Sequence, residues 1–132
     1  MILIDTSAWI DFFRGQGRLE AQVDQAIEQG DAATCGPIIT ELRRGITKAS
    51  QAKQVLGLLE GCTLLEQPAD LWQQAGSLGA WLQTKGVHAK TLDLLIANYA
   101  LSHDCELLSA DKDFFHMQQA GLPLRLMQHH NA

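Results

Sequence analysis

The sequence lacks any run of about 18 apolar residues, the length that a membrane-spanning helix needs. Its first residues, Met-Ile-Leu-Ile-Asp, lack the basic segment and long apolar stretch of a signal peptide, so we expect a cytoplasmic protein with no membrane span. Cysteine is also scarce. The three cysteines, Cys35, Cys62 and Cys105, form no Cys-x-x-Cys pair, which argues against a zinc site. We expect them to be buried thiols in a reducing compartment.

Basic residues are too few for a broad nucleic-acid-binding face. Ten Lys and Arg stand against fifteen Asp and Glu, giving a formal net charge of −5. Proteins that bind nucleic acid through phosphate usually carry a basic surface, so the composition counts against general nucleic-acid binding. A bound divalent cation reverses the sign of the charge locally. A metal-bridged site for a phosphate therefore remains open.

What is present is the composition of a globular domain. The chain has 132 residues, 46% hydrophobic and 19% charged, without internal repeats or a linker that would divide it. This length suits one domain, residues 1–132, and such a chain buries roughly two-thirds of the surface that its unfolded form exposes. We therefore expect a core that needs no disulfide or structural metal.

Apolar runs and turn signals predict strands that alternate with helices or helix pairs. Thr6 or Ser7 would cap a first helix that ends near Gly15, and Pro68 would open a long fifth helix. This alternation is typical of an α/β fold with a mostly parallel sheet covered on both faces. The predicted strands are 2–5, 32–35, 62–66, 105–109 and 123–127; the other predicted helices cover 19–29, 37–46, 50–60 and the segments that begin at Thr91 and after Asp111.

Four acidic residues fall where such a fold gathers functional groups, beyond the carboxyl ends of the strands. Asp5 ends the first strand, and Asp111 follows the strand that ends at Ser109. If these strands are parallel neighbours, both side chains emerge at one edge of the sheet. Glu41 and Asp93 lie in the first two turns of helices that start at the same edge. We therefore expect the four carboxylates to converge.

Each of these acids also has an ordinary structural interpretation. Asp5 and Asp111 could be helix N-caps, and Glu41 could be a solvated surface charge. Asp93 is harder to explain, because it lies in the apolar segment LDLLIANYAL. The helix dipole favours a first-turn acid by only about 0.3–1 kcal/mol, which is small against the cost of burying an unpaired carboxylate.

Four carboxylates in one cleft repel one another, and a hard divalent cation removes that repulsion. A ligand set made only of oxygen atoms selects Mg²⁺, or Mn²⁺ as a substitute, over zinc or copper. Such an ion activates water and stabilises charge on a phosphate. The cluster has no nucleophilic Ser, Cys or Lys beside it, so the pattern indicates phosphodiester hydrolysis by metal-activated water.

Four segments resemble a known family in their order and spacing. They are ILIDTSAWID at the start, ITELRRG, TLDLLIANYAL, and LLSADKDF near the end. Together they are similar to PIN-domain ribonucleases of the VapC type, the toxin half of type II toxin–antitoxin pairs. The resemblance covers essentially the whole chain. Its most specific piece is DTS-x-W after an N-terminal strand.

The resemblance implies a PIN-like three-layer α/β/α sandwich with four to five strands. It also implies Mg²⁺-dependent endoribonuclease activity, a homodimer, and a VapB-like antitoxin that inserts into the active site. By position, Asp5 and Asp93 match the firmest metal ligands, Glu41 the second acid and Asp111 the fourth. Asp113 could share the role of Asp111. Thr6 and Ser7 match hydroxyl residues that line the site. Arg43 and Arg44 could contact RNA or antitoxin, or they could be surface charges.

Trp72 and Trp81 are expected to pack in the core or a dimer face, and His129 and His130 in a frayed tail. A receiver-like phosphoacceptor domain would need an acidic pair after the first strand, but Asp5 has no acidic neighbour. A PIN domain that only binds RNA or protein is the other alternative, although that class usually loses acids. The sequence does not identify the RNA, since such recognition depends on shape.

Overall fold

Strands and helices alternate along the chain in the computed structural model, which describes residues 1–15 and 18–127. The strands within these ranges are β1 (Ile2–Ile4), β2 (Ala32–Thr34), β3 (Thr63–Leu64), β4 (Glu106–Leu108) and β5 (Arg125–Leu126). The helices are α1 (Thr6–Arg14), α2 (Glu20–Glu28), α3 (Gly36–Gly45), α4 (Ala49–Glu60), α5 (Leu71–Thr84), α6 (Thr91–Ser102) and α7 (Lys112–Gln119).

The strands form one sheet in the order β3-β2-β1-β4-β5, and every pairing is parallel. The central strand β1 pairs on one side with β2 and on the other with β4, so Leu3 lies opposite both Ala33 and Leu107. The expected α/β fold with a sheet of four to five strands is confirmed. So is the condition on which the site prediction depended, because β1 and β4 are parallel neighbours.

Both faces of the sheet are covered. Successive side chains of a strand point to opposite faces, and in β1 the adjacent residues Leu3 and Ile4 are both fully buried. The same holds for Leu107 and Leu108 in β4. Near-continuous apolar strands of this kind are typical of parallel sheets packed between helices. The sheet is therefore the middle layer of an α/β/α sandwich.

Helix α6 is buried along nearly its whole length and holds Asp93 in its first turn. It packs against α5, α3 and α7. Gly79 of α5 permits the close approach, because a Cβ at that position would lie 2.9 Å from Cδ1 of Leu94. The expectation of an apolar helix with one acid is thus confirmed, and its tight packing fixes the position of Asp93.

The long helix does not begin at Pro68, and this prediction was wrong. The helix starts at Leu71, after Asp70, which adopts the left-handed conformation with φ 57° and ψ 28°. A left-handed residue cannot continue a right-handed helix. Pro68 instead belongs to a turn in which its carbonyl accepts a hydrogen bond from the Leu71 amide at 3.3 Å.

The three cysteines are free thiols. Cys35 and Cys105 are buried as expected, whereas Cys62 is half-buried. Burial raises the pKa of Cys35 to about 12 and that of Cys62 to about 11, so neither is an activated nucleophile. Among residues 1–15 and 18–127, no helix has the length and apolar character that a membrane span requires.

Candidate active site

Asp5 lies at the carboxyl end of β1 and is only 3% exposed. Its amide donates to the Leu108 carbonyl at 2.9 Å, which ties the end of β1 to the end of β4. Its Oδ2 accepts hydrogen bonds from the Ser7 hydroxyl at 2.7 Å and from the Ser109 hydroxyl at 2.9 Å. Burial raises the pKa of Asp5 above its usual range, and the hydrogen bonds from Ser7 and Ser109 oppose that rise.

Asp5 is also the N-cap of α1, where the sequence had indicated Thr6 or Ser7. Its backbone is extended, with φ −68° and ψ 157°, and its side chain accepts from the Ser7 amide at 3.4 Å. Thr6 and Ser7 therefore already have helical geometry, and the predicted cap position was wrong by one or two residues. Asp5 thus caps α1, as one interpretation of the sequence allowed, and it also belongs to the group of acids at this edge of the sheet.

Ser109 is a site residue that the sequence interpretation used only to mark the end of a strand. Besides binding Asp5, its Oγ lies 3.0 Å from the Ser7 Oγ and accepts from the Asp111 amide at 3.0 Å. The Ser7 Oγ in turn accepts from the Ala110 amide at 2.9 Å. A hydroxyl residue directly after a strand and two residues before an acid was the only sequence signal for this network.

Glu41 lies in the second turn of α3 and is half-buried. The Thr6 hydroxyl donates to its Oε1 at 2.8 Å, across 35 residues of sequence. Thr6 and Ser7 thus each hold a carboxylate, Glu41 and Asp5 respectively. Glu41 is therefore held at a defined position beside Asp5 and is not a freely solvated surface charge.

Asp93 is 8% exposed, and its Oδ2 is buried without a hydrogen-bond partner in the described part of the chain. Burial, and after it the negative charges of other acids, raise the pKa of Asp93 from its usual 3.8 to about 7. A buried carboxylate oxygen with no donor is costly. The acids that act on Asp93 are, in decreasing order of effect, Asp5, Asp111, Asp113 and Glu41.

Asp111 and Asp113 bring the fourth and a fifth acid to Asp93. Asp111 is the N-cap of α7, and its Oδ1 accepts from the Asp113 amide at 3.0 Å. Asp93, Asp111 and Asp113 each place one carboxylate oxygen within 4.8 Å of the other two. Asp5 and Glu41 are not part of this closest group, although both act electrostatically on Asp93. Five acids therefore share one edge of the sheet.

This donor set fits a hard divalent cation. All the groups are carboxylates, which are the ligands that Mg²⁺ and Mn²⁺ prefer. The unpaired Oδ2 of Asp93 is a buried acceptor that a cation would satisfy, and the charge repulsion that raises the pKa of Asp93 would fall on cation binding. Neither a cysteine nor a histidine is part of the cluster found among residues 1–15 and 18–127, which agrees with the absence of a zinc motif.

The other residues singled out from the sequence are exposed or lie outside the described residues. Arg43 and Arg44 are exposed in the last turn of α3, and neither forms an ion pair within the described ranges. Trp72 and Trp81 are 65% and 38% exposed, so the expectation that they pack in the core was wrong. The alternative, that they lie on a dimer face, stays a prediction. His129 and His130 lie outside the described residues.

A groove of about 480 Å³ adjoins the site between α1, α3 and α4. Glu41 forms part of its wall, so the groove leads to the carboxylates. The rest of the lining mixes apolar and polar side chains, namely Ile10, Phe12, Phe13, Leu42, Ile46 and Val55 with Arg14, Glu20, Gln51 and Gln54.

Comparison with known proteins agrees with this fold. A sequence profile of the PIN domain matches residues 2–119. VapC ribonuclease Mb1587 of Mycobacterium bovis is 31% identical over 119 residues, which cover 86% of this chain and 89% of that protein. Ribonuclease VapC11 of Mycobacterium tuberculosis matches to the same extent. The chain therefore belongs to the PIN-domain family. Within it, the chain falls in the VapC group, as both mycobacterial relatives do.

Solved structures show the same fold over almost the whole chain. A toxin–antitoxin complex from Klebsiella pneumoniae superposes with a TM-score of 0.71 at 25% identity, covering 97% of each chain. VapBC-1 from nontypeable Haemophilus influenzae superposes with a TM-score of 0.74 at 20% identity, covering 97% of this chain and 98% of that one.

Proposed function

We propose that the protein is a Mg²⁺-dependent endoribonuclease and the toxin of a VapBC-type toxin–antitoxin pair. The observation that carries the proposal is Asp93, a buried carboxylate with an unpaired oxygen and a pKa of about 7 among four further acids. Structural ion pairs do not explain it, because no described cation pairs with Asp93. The names of the mycobacterial relatives support RNA as the substrate.

Three carboxylates would hold the cation directly or through water: Asp93, Asp111 and Asp113, whose oxygens lie closest together. Asp5 and Glu41 lie outside this closest group and complete the negative cluster, since both act electrostatically on Asp93. When bound, Mg²⁺ would activate a water molecule and stabilise the charge that develops on the phosphate. The acidic chain itself offers the phosphate no broad basic surface, so the cation would also anchor the RNA.

The chain's own contribution is to hold these acids in place. The Ser7 and Ser109 hydroxyls fix Asp5, and the Thr6 hydroxyl fixes Glu41. The hydrogen bonds from Ser7 and Ser109 oppose the rise that burial causes in the pKa of Asp5. Asp5 and Glu41 are thus held at fixed positions, where they can orient a water molecule or the cation's hydration shell.

Incubation of the purified protein with total RNA, with Mg²⁺, with Mn²⁺ and with excess EDTA, tests the activity. We expect cleavage with either cation and none in EDTA, and sequencing of the new 5′ ends would identify the RNA and the cut position. Undiminished cleavage in EDTA would contradict the metal-dependent mechanism. Binding of RNA without any cleavage would instead favour a PIN domain that acts only as a binding module.

The groove beside Glu41 is the surface that we propose for a VapB-like antitoxin. Its apolar side chains suit a peptide segment, and its acidic end suits a basic residue that reaches the carboxylates. The solved VapBC-1 structure supports a partner of this type. Ile10 is 40% exposed on this groove, so Ile10→Glu should weaken binding of the cognate antitoxin at least tenfold and leave RNA cleavage intact. Leu64→Gln, a change at an exposed apolar residue outside the groove, is the matched control.

We also propose that the protein is a homodimer and that α5 contributes to its interface. The exposed rings of Trp72 and Trp81 lie on that helix, and exposed aromatic side chains are enriched at protein interfaces. Light scattering after size-exclusion chromatography should give twice the mass of the chain. Trp72→Gln combined with Trp81→Gln should give the monomer mass. A dimer that survives both changes would place the interface elsewhere.

A further inference from the structure

A second, smaller pocket adjoins the acidic cluster at Asp113. It encloses about 200 Å³ between the loop that follows α5 and the first turns of α7. Five described residues line it: Gly86, Val87, His88, Asp113 and His116. None of these residues belongs to the groove beside Glu41. The two concave surfaces are therefore separate.

This pocket shares a wall with the proposed cation site. Asp113 lines the pocket and is also one of the three acids whose oxygens lie within 4.8 Å of one another. The loop that carries His88 leads directly into α6, whose first turn holds Asp93. A group bound in the pocket would therefore lie next to a phosphate held at the carboxylates.

The pocket is formed by two anchored elements. Asp113 and His116 are spaced i, i+3 on α7, so both side chains face the same direction. On the other side, Gly86 has φ +78°, a left-handed conformation that turns the chain out of α5. The Gly86 amide donates to the Gln83 carbonyl at 3.0 Å, and the Val87 amide to the Leu82 carbonyl at 2.9 Å. The loop that carries His88 is thus fixed at its base.

The lining favours a flat, neutral ring over a phosphate. Within the described residues, neither Lys nor Arg lines the pocket, so the pocket itself offers a phosphate no fixed cation. His88 and His116 instead offer two imidazoles, which stack on nucleobases and hydrogen-bond to their edges. Val87 adds an apolar surface.

We propose that His88 and His116 form a binding pocket for one unpaired nucleobase of the RNA, next to the phosphate that is cut. This inference rests on the proposed ribonuclease function and adds a determinant of its sequence preference. The two histidines are positioning residues that hold the RNA strand, and they take no part in the bond cleavage. The pocket size limits the contact to a single base.

The pocket is tested with an abasic-site walk, a series of oligoribonucleotides of one cleaved sequence in which each member lacks the base at one position. For the wild-type protein, one abasic position beside the cut should lower kcat/KM about five- to 160-fold, the range expected when one base–aromatic stack is lost. The double variant His88→Ala/His116→Ala should show a similar loss on the intact oligonucleotide and little further loss at that abasic position. Independent, additive losses would overturn the proposal, as would a wild-type protein insensitive to every abasic position.

Three controls separate this proposal from the others. His103→Ala changes an exposed histidine at the end of α6 remote from Asp93, and it should behave as the wild type does in the walk. The double variant should keep its Mg²⁺-induced rise in melting temperature, since the carboxylates are intact. His116→Phe, which keeps a stacking ring, should restore most of the activity that His116→Ala loses.

Measuring affinity for the same series of oligonucleotides distinguishes failure of the pocket from failure of the proposed function. The affinities are measured by fluorescence anisotropy for the Asp5→Asn variant, with and without the two alanine changes. If the wild-type protein cleaves no RNA, the proposed function fails, and the affinity measurement, made on an oligoribonucleotide that the protein binds, still decides on the pocket. Equal affinity for the intact and all abasic oligonucleotides would rule out a base-binding pocket.

Discussion

The Ser109 hydroxyl donates a hydrogen bond to Asp5 Oδ2 at 2.9 Å and so joins two residues that lie 104 positions apart in the sequence. The bond crosses from the end of β4 to the end of β1, which are neighbouring strands. It stabilises the charge of a carboxylate that burial would otherwise neutralise. A single hydroxyl thus connects the packing of the sheet to the electrostatics of the site.

Replacing Ser109 should therefore affect both stability and activity. Ser109→Ala removes a hydrogen bond to a carboxylate, a change that costs about 1.5–3 kcal/mol in such cases. Because the Ser109 bond lowers the pKa of Asp5, its loss should raise that pKa and shift the acid limb of the pH–rate profile upwards. Urea denaturation and a pH profile measure the two effects. Ser109→Thr keeps the hydroxyl and should retain the wild-type stability and pH–rate profile. Ser102→Ala, a change at an exposed serine on α6, should alter neither the stability nor the profile.

Asp93 should make the metal-free protein less stable as the pH rises. The pKa of Asp93 is about 7 in the folded protein, whereas an unperturbed aspartate, as in the unfolded chain, has a pKa of 3.8. Between these two pH values the folded state holds a proton that the unfolded state has released. The stability contribution of Asp93 therefore falls from pH 4 to pH 7 and stays low above pH 7. In EDTA, Asp93→Asn should melt several degrees above the wild type at pH 8 and at nearly the same temperature at pH 4.5. A melting difference that does not vary with pH would contradict this assignment.

Mg²⁺ should raise the melting temperature, and its affinity should depend on pH. Binding to the native state alone contributes about 2.7 kcal/mol at a free concentration a hundred times the Kd. Because the cation needs ionised Asp93, the affinity should fall about tenfold for each pH unit below pH 7 and level off above it. Isothermal titration calorimetry in two buffers would show release of about one proton at pH 6. A melting temperature that Mg²⁺ does not move would argue against a preformed site.

The five acids should contribute unequally to RNA cleavage. Asp5→Asn and Asp93→Asn should abolish detectable cleavage while the protein stays folded. Asp111→Asn and Asp113→Asn should each lower kcat/KM at least tenfold, because both oxygens lie in the closest group. Asp24→Asn, a change at an exposed acid on α2, should have no effect. If Asp113→Asn retains full activity, Asp111 alone is the fourth acid, as the family resemblance suggests.

Much of this architecture could be predicted because its determinants are local. The apolar runs of β1 and β4 and the apolar helix α6 are continuous in sequence, so their types follow from pattern alone. The α/β class then predicted that Asp5, Asp93 and Asp111 meet at one edge of the sheet, on the condition that β1 and β4 are parallel neighbours. Capping residues were less certain, since Asp5, Thr6 and Ser7 all favour the N-cap, and only the backbone angles choose among them.

Other features depended on contacts between distant parts of the chain. The partner of Ser109 is set by the pairing of β1 with β4, which no window of sequence contains. The exposure of Trp72 follows from how α5 is rotated against α6, and its apolar character alone suggested the core. Asp70 shows a third limit, because its left-handed backbone delays the start of α5 although Pro68 is a common first-turn residue.

The central position of β1 has a consequence for synthesis of the protein on the ribosome. Its neighbour β4 and the acids Asp93, Asp111 and Asp113 all come from the last third of the chain, while Asp5 and Glu41 emerge early. A nascent chain that has not yet released β4 and α7 lacks at least Asp111 and Asp113 of the five carboxylates, and it lacks the strand that pairs with one side of β1. The proposed nuclease would therefore be harmless to the ribosome that makes it until β4 and α7 have emerged.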